Sequence, residues 1–467
     1  MRKLLSVFVA ATLLNGSSLF LVACAKKYYF DSNIWVITDA GIVTDASFNE
    51  SAWDGASKYV VSQKDKEILP SKWKTSRYRA SYYEPASQTP SDFKTAYLTA
   101  YIAGAKTLIL PGFVHGNTIG WGAELADNLI YIDGSSQNIH LGMDPKKPLA
   151  TNVVGISYEA ESSGFFAGIA AALWLNANQS KYPSGLKIST YGGMDNPGAV
   201  SNYMWGFLVA ADVFNTIISN NNFPNLFKIR ADILAQVQKM NPAITALQKI
   251  EKVQNVIKNN ESWFSQSFEV GHGKDISDEL LSRRASIIFP VAGPQTQDTI
   301  GRIKYNKSPA KVIGVDTEQS KIYGEDIIVT SALKEIVTST QEALQNIYSD
   351  KCGYQSNSNT WDNNKVTSEC WINTDQSSVQ HPTWTGIETT KSINENTVNF
   401  IHNKTDDLTK DTAFDKIIKV LQDVYSRGIG DIPPVAAKVF TTTLLNTYQN
   451  SDTLKAYILD AIEAALQ

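Results

Sequence analysis

Residues 37–49 read ITDAGIVTDASFN, and the reading of this stretch decides the fold. Ile34, Trp35 and Val36 stand just before it, so an apolar, β-branched run stops abruptly at Asp39 and Gly41, as a buried parallel strand does when it delivers a loop to a sheet edge. Downstream, SFNESAWDGASKYV places Phe48, Ala52, Trp53 and Ala56 on one side of a helix, with Ser47 or Asn49 near its start. The strand-then-helix unit recurs. KTLILPGF, NVVGISY, LKISTYGG, ASIIFPVAG, KVIGVD and DIIVTS read as strands, and SSGFFAGIAAALWLN, AVSNYMWGFLVAADVFNTII and TQDTIGRIKYN as helices between them. That alternation predicts α/β layers around parallel sheets. Gly and polar residues gather at the strand ends TDAG, PGF, GGMD, VAGP and VDTEQ, where open α/β sheets bind ligands.

The chain has 467 residues, 43% of them hydrophobic, enough for two lobes of ordinary domain size. It opens with MRKLL and then SVFVAATLLNGSSLFLVAC, a basic head followed by an apolar run broken at Asn15–Ser18, which reads as a secretory signal rather than a membrane span. Leu21, Val22, Ala23 and Cys24 resemble a bacterial lipobox, in which the cysteine is acylated and becomes the mature N-terminus; the alternative is a plain export signal. Several acyl chains on Cys24 anchor stably, at about 0.8 kcal/mol per buried methylene. Losing Arg2 and Lys3 with the signal leaves 40 basic against 46 acidic side chains, a balance that argues against nucleic acid as partner.

Cys352 and Cys370 bound the segment CGYQSNSNTWDNNKVTSEC. An even pair in an exported chain reads as a disulfide across a loop poor in packing residues, worth roughly 3 kcal/mol in the chain-entropy picture, with two free thiols as the alternative. The block from about 342 to 410 is rich in Ser, Thr, Asn and Asp and reads as loops or a surface elaboration; helical periodicity returns after Phe414.

Few residues carry chemistry. The five histidines show no metal spacing, there is no GxSxG elbow, no phosphate loop and no acid/base carboxylate pair, so neither enzyme, metal site nor cofactor is expected. Asp39 and Asp45 either accept hydrogen bonds from sugar hydroxyls or form turns and cap a helix. Phe48 offers a plane for a ring and Asn49 an amide for a heterocycle. His115, in PGFVHGNTIG, lines a cleft or bonds locally. Asp316 ends a strand, and IIVTSALKEI places Lys334 one turn into a helix.

Taken together, WVITDAGIVTDASFNESAWDG, VVGISYEAESSGFFAGIAAAL, ISTYGGMDNPGAVSNYMWGFLVAAD, ASIIFPVAGP and KVIGVDTEQS…IIVTSALK resemble the basic membrane lipoprotein family, the purine-nucleoside-binding proteins of ABC transporters, over residues 33–340. The resemblance implies a type I periplasmic-binding-protein fold: two Rossmann-like lobes joined by crossover hinges, a ligand enclosed between them, and a monomer that serves an ABC permease. It divides the chain into a lipoprotein signal peptide (1–23), a tether (24–32), a first lobe (33–155), a second lobe (156–328), a return to the first lobe carrying the polar insertion (329–410) and a helical segment completing the lobes (411–467). It also implies Asp39 and Asp45 in the binding loop, Phe48 and Tyr203 as the two faces of a base sandwich, Asn49 on the base, Asp316 on the ribose and Lys334 as the basic member. Guanosine, adenosine or inosine is the implied ligand. The chain departs from the family pattern in PQTQD after PVAG and in Glu318, which keeps a sugar, a thiamine-like vitamin or a surface adhesion role open.

Overall fold

The computed structural model describes residues 33–39, 41–63, 80–221, 224–253, 263–372, 378–405, 407–427 and 452–466. The expected signal peptide, Cys24 and the tether lie outside the described residues. Among the described residues no helix is long and apolar enough to cross a membrane.

Two parallel sheets organise the chain. The first contains β1 (Ile34–Ile37), β2 (Ser81–Tyr83), β3 (Thr107–Pro111), β4 (Asn128–Ile132) and β5 (Val153–Ile156) in the order β2-β1-β3-β4-β5, all parallel. The second contains β6 (Leu186–Gly192), β7 (Ile250–Lys252), β8 (Ile287–Val291), β9 (Lys311–Asp316) and β10 (Ile328–Lys334), ordered β10-β9-β8-β6-β7. Read from the far edge, it repeats the order of the first. In each, winding reverses beside the first strand, between β1 and β3 and between β6 and β8, the topological position at which doubly wound sheets hold ligands. Every residue of β1, β3, β4, β5, β8 and β10 is buried, which is why their sequences are largely apolar and show no inside/outside alternation.

Helices cover both faces. Helix Phe48–Ser62 packs with helix Ile336–Ile347 through Ala52, Ala56, Tyr59, Ile336 and Leu344 on one side of the first sheet, and helix Pro90–Ile102 lays Phe93, Ala96 and Tyr97 on the other. The apolar helices Ala160–Ala177 and Asn202–Ser219 lie together in the largest core, against the second sheet.

The chain departs from the expected division after residue 328. β10 belongs to the second sheet, paired with β9, so the return to the first half starts at Glu335. That half regains helix Ile336–Ile347 and a hairpin of β11 (Cys352–Gln355) and β12 (Thr360–Val366). Cys352 and Cys370 are joined by a disulfide, and Tyr59, Tyr348, Tyr354 and Trp361 meet ring to ring beneath it. β13 (Thr385–Ile387) then pairs antiparallel with β10, and the described parts of the C-terminal segment, Ala413–Arg427 and Asp452–Leu466, cover only the second half. Among the described residues the chain crosses between the sheets three times: after β5, after β10 and before β13.

Candidate functional site

The strand ends of the two sheets face one another across a cleft of about 530 Å³, including its mouth. Asp39 stands two residues past β1. Its carboxylate lies against Gly112, where a Cβ would come within 2.3 Å of Oδ2; Gly112, at φ +103°, is therefore required by its neighbour as well as by its own backbone. Asn49 Nδ2 donates to Asp39 Oδ1 at 2.9 Å and to Asp45 Oδ2 at 2.9 Å, while Asn49 Oδ1 accepts the Asp39 N–H at 3.2 Å. The amide thus braces two carboxylates, and both of its donors are engaged within the loop.

Asp45 lines the cleft and also caps a helix. Its Oδ1 accepts the N–H groups of Ser47 at 2.9 Å and Glu50 at 3.1 Å, and its Oδ2 accepts that of Asn49 at 3.1 Å, so it caps helix Phe48–Ser62 from two residues before the usual position. Burial pushes its carboxyl up to about 6 against the pull of those N–H groups.

Lys334 is the last residue of β10, not a helical residue, because Leu333 and Lys334 still pair with Asp316 and with β13. Its Nζ donates to Asp133 Oδ2 at 2.6 Å and to the Ala199 carbonyl at 3.1 Å, and stands 3.9 Å from Asp316 Oδ1. It lies 5.5, 5.6 and 5.0 Å from the ring centroids of Phe48, Tyr158 and Tyr203, so three electron-rich faces share a buried cation with two carboxylates. Asp316 also accepts Ser47 Oγ at 3.3 Å, and burial pushes its carboxyl up to about 6 while the ammonium opposes.

Two expected residues stand behind the wall. Tyr203 is fully buried, edge-on to Phe289 at 5.9 Å with Lys334 over its ring, and presents no face to the cleft. An aromatic ring that does line the cleft on the half opposite Phe48 is that of Phe268, half-buried there. Its loop is held by Gln295 Nε2 on the Ser267 carbonyl at 2.6 Å and by Asp298 Oδ2, which accepts the Gly271 and Gly273 N–H groups at 2.6 and 3.1 Å. His115 is also buried: Nδ1 meets the Tyr97 hydroxyl at 2.8 Å and the ring packs on Phe93 at 4.5 Å. Burial holds it down to about 3, so it is a neutral core residue. Phe113, two residues earlier in the same short helical turn, lines the cleft in its place and meets Phe268 edge to face at 6.0 Å.

Sequence reading missed Asp133, Phe113 and Phe268. Asp133 was within reach, since NLIYIDG repeats the pattern of an apolar run ending in Asp and Gly that marks Asp39. Among the described residues no cluster of His, Cys, Asp or Glu suits a metal ion. The cleft pairs an apolar wall of Phe48, Phe113 and Phe268 with a polar floor of Asp39, Asp133, Asp316 and Lys334, which carries carboxylate acceptors and one ammonium.

No protein-family model matches the chain. It is similar to two curated lipoproteins. One is the uncharacterized lipoprotein MG040 homolog of Mycoplasma pneumoniae, 22% identical over 347 residues that make up 65% of this chain and 53% of that protein. The other is the uncharacterized lipoprotein MG040 of Mycoplasma genitalium, 22% identical over 425 residues, 76% of this chain and 71% of that protein. The chain thus spans about half the length of the first relative. Among solved structures, a solute-binding protein of an ABC transporter system from Aeropyrum pernix overlaps 93% of this chain and 90% of its own, at 14% identity and a TM-score of 0.46.

Proposed function

We propose that the protein is an extracytoplasmic solute-binding lipoprotein, anchored through acylated Cys24 at the outer face of the cell membrane, that captures a purine nucleoside between two hinged lobes of the type I periplasmic-binding fold and hands it to an ABC permease. It binds as a monomer, without a cofactor, and catalyses nothing. One observation carries this reading: an aromatic wall contributed by both halves faces carboxylates and an ammonium at the strand ends of the same cleft. Phe48 and Phe268 take the faces of the base, while Asp133, Asp316, Lys334 and Asp39 take the ribose hydroxyls. Stacking tolerates any base, and hydroxyls matched to buried acceptors select the sugar. Nucleotides are rejected because their phosphates meet carboxylates.

A second reading, a free sugar, has support in Asn49, whose donors are committed to Asp39 and Asp45 and leave the edge of a base without that amide. Calorimetric titration with guanosine, adenosine, ribose, a hexose and thiamine separates the two. Binding of guanosine or adenosine well above the free sugars is expected; equal or tighter binding of a sugar, or of thiamine, overturns the nucleoside assignment.

A further inference from the structure

Ser47 occupies the N-cap position of helix Phe48–Ser62, yet its side chain makes no bond to that helix. The task is already done by Asp45, which takes the N–H groups of Ser47, Asn49 and Glu50. The freed hydroxyl crosses the cleft and donates to Asp316 Oδ2 at 3.3 Å, between residues 269 apart in sequence and in different halves.

Two further features of the second half converge on the same turn. Gly293, at φ +46°, brings its backbone so close that an added Cβ would lie 3.0 Å from Ser47 Oγ and 3.3 Å from Ser47 Cβ. Gln319 is fully buried; its Oε1 accepts the Val315 N–H at 3.1 Å, and its Nε2 reaches both the Ala46 carbonyl across the cleft and the Gly293 carbonyl at 3.4 Å. Ala46 itself sits at φ +57°, a conformation that costs a non-glycine residue about 1 kcal/mol or more and here points its carbonyl to Gln319.

The geometry points to a closure latch: the Ala46–Ser47 turn of the first half is gripped by Gly293, Asp316 and Gln319 of the second, so that the halves close on each other without a ligand. This rests on the hinged-lobe reading, but needs no particular ligand. Every partner in the latch is a group of the chain itself, and Asp316 keeps its second oxygen toward Lys334 and the cleft. A ligand that binds the closed form gains whatever closure the latch supplies in advance, because less of its binding free energy is used to bring the halves together. The latch therefore raises affinity for any ligand of the closed form.

The test is a cross-link. The 3.3 Å between Ser47 Cβ and a Cβ built on Gly293 is close to the separation of about 3.5–4.5 Å that a disulfide spans. The protein carrying Ser47→Cys and Gly293→Cys, oxidised mildly with no ligand added and checked by denaturing mass spectrometry to be ligand-free, is expected to cross-link as completely as it does with guanosine present. Cross-linking that appears only with guanosine overturns the latch and leaves the clamp reading standing; no cross-link in either condition overturns it as well. A single Ser47→Ala substitution, which avoids strain at Gly293, gives an independent arm. Small-angle scattering of the ligand-free variant should show a larger radius of gyration than the parent, and the closed-to-open ratio should fall roughly 10–150-fold, as expected for one hydrogen bond to a charged group. An unchanged radius overturns the proposal. Neither arm needs the protein to bind nucleosides, so failure of the ligand assignment is visible separately in the calorimetry.

Discussion

Asp133, directly after β4, and Asp316, the last residue of β9, sit at the ends of corresponding strands of the two sheets, share a left-handed backbone at φ +60° and +64°, and face the same Lys334 ammonium at 2.6 and 3.9 Å. Each half thus supplies one acid from an equivalent place, and one lysine serves both. Left-handed Asp is tolerated because its short polar side chain can bond locally.

Removing the shared cation should be costly. Lys334→Met leaves the Asp133 carboxylate buried without its ammonium, and unfolding by denaturant is expected to show a loss of about 3–5 kcal/mol. Adding Asp133→Asn should recover much of that stability without recovering ligand binding. Recovery of both would show that the pair is structural alone.

The aromatic wall predicts a contrast between Phe268 and Tyr203. Phe268→Ala should weaken nucleoside binding roughly 10–100-fold, the usual range for one base-stacking face. Tyr203→Phe should weaken it far less, since the ring faces Lys334 and the hydroxyl, which bonds the Ala332 carbonyl at 3.5 Å and Asp316, acts from behind the wall. The reverse order of effects, measured by calorimetry, would return Tyr203 to the binding face.

Asp316 makes binding and stability respond to pH in opposite senses. Its carboxyl rises from the ordinary 3.8 to about 6 on folding, so the folded chain holds the proton more tightly; its contribution to stability is full below about 3.8 and is lost as pH rises through 6. Ligand hydroxyls need the ionised acceptor, so affinity should fall about tenfold between pH 7.5 and pH 5. Asp316→Asn keeps a residue that accepts a left-handed backbone and should flatten that profile while lowering affinity at pH 7.5. A profile as steep as the parent's would assign the titration elsewhere.

His115→Ala should cost stability and spare binding. The imidazole is a packed partner of Phe93 and Tyr97, and its removal opens a core cavity and strips the Tyr97 hydroxyl of one partner, a combined loss of about 2–4 kcal/mol. A selective loss of affinity with unchanged melting temperature would place His115 at the ligand.

Much of this was legible in the sequence for a physical reason. Strands buried on both faces are mostly apolar, and β1, β3, β5, β6, β8, β9 and β10 stand out as short, largely apolar runs. What escaped depends on tertiary placement. Helix Asn202–Ser219 is buried on nearly every side, so no periodicity distinguishes the face behind Tyr203 from one that meets the cleft. Phe268 belongs to a loop without regular structure, positioned by Gln295 and Asp298 from a later helix and turn. His115 and Phe113 share one tight turn, and composition does not say which of them points inward. In β10 the β-branched run ends at Thr330–Ser331, so in the sequence Lys334 resembles part of the helix that starts at Ile336.

Lys334 closes its strand, and Glu335 already belongs to the passage toward helix Ile336–Ile347. The Lys334 ammonium shares a sheet with Asp316 but reaches across to Asp133 of the other half, so any rotation of one half against the other changes the pairing with Asp133 and keeps the pairing with Asp316.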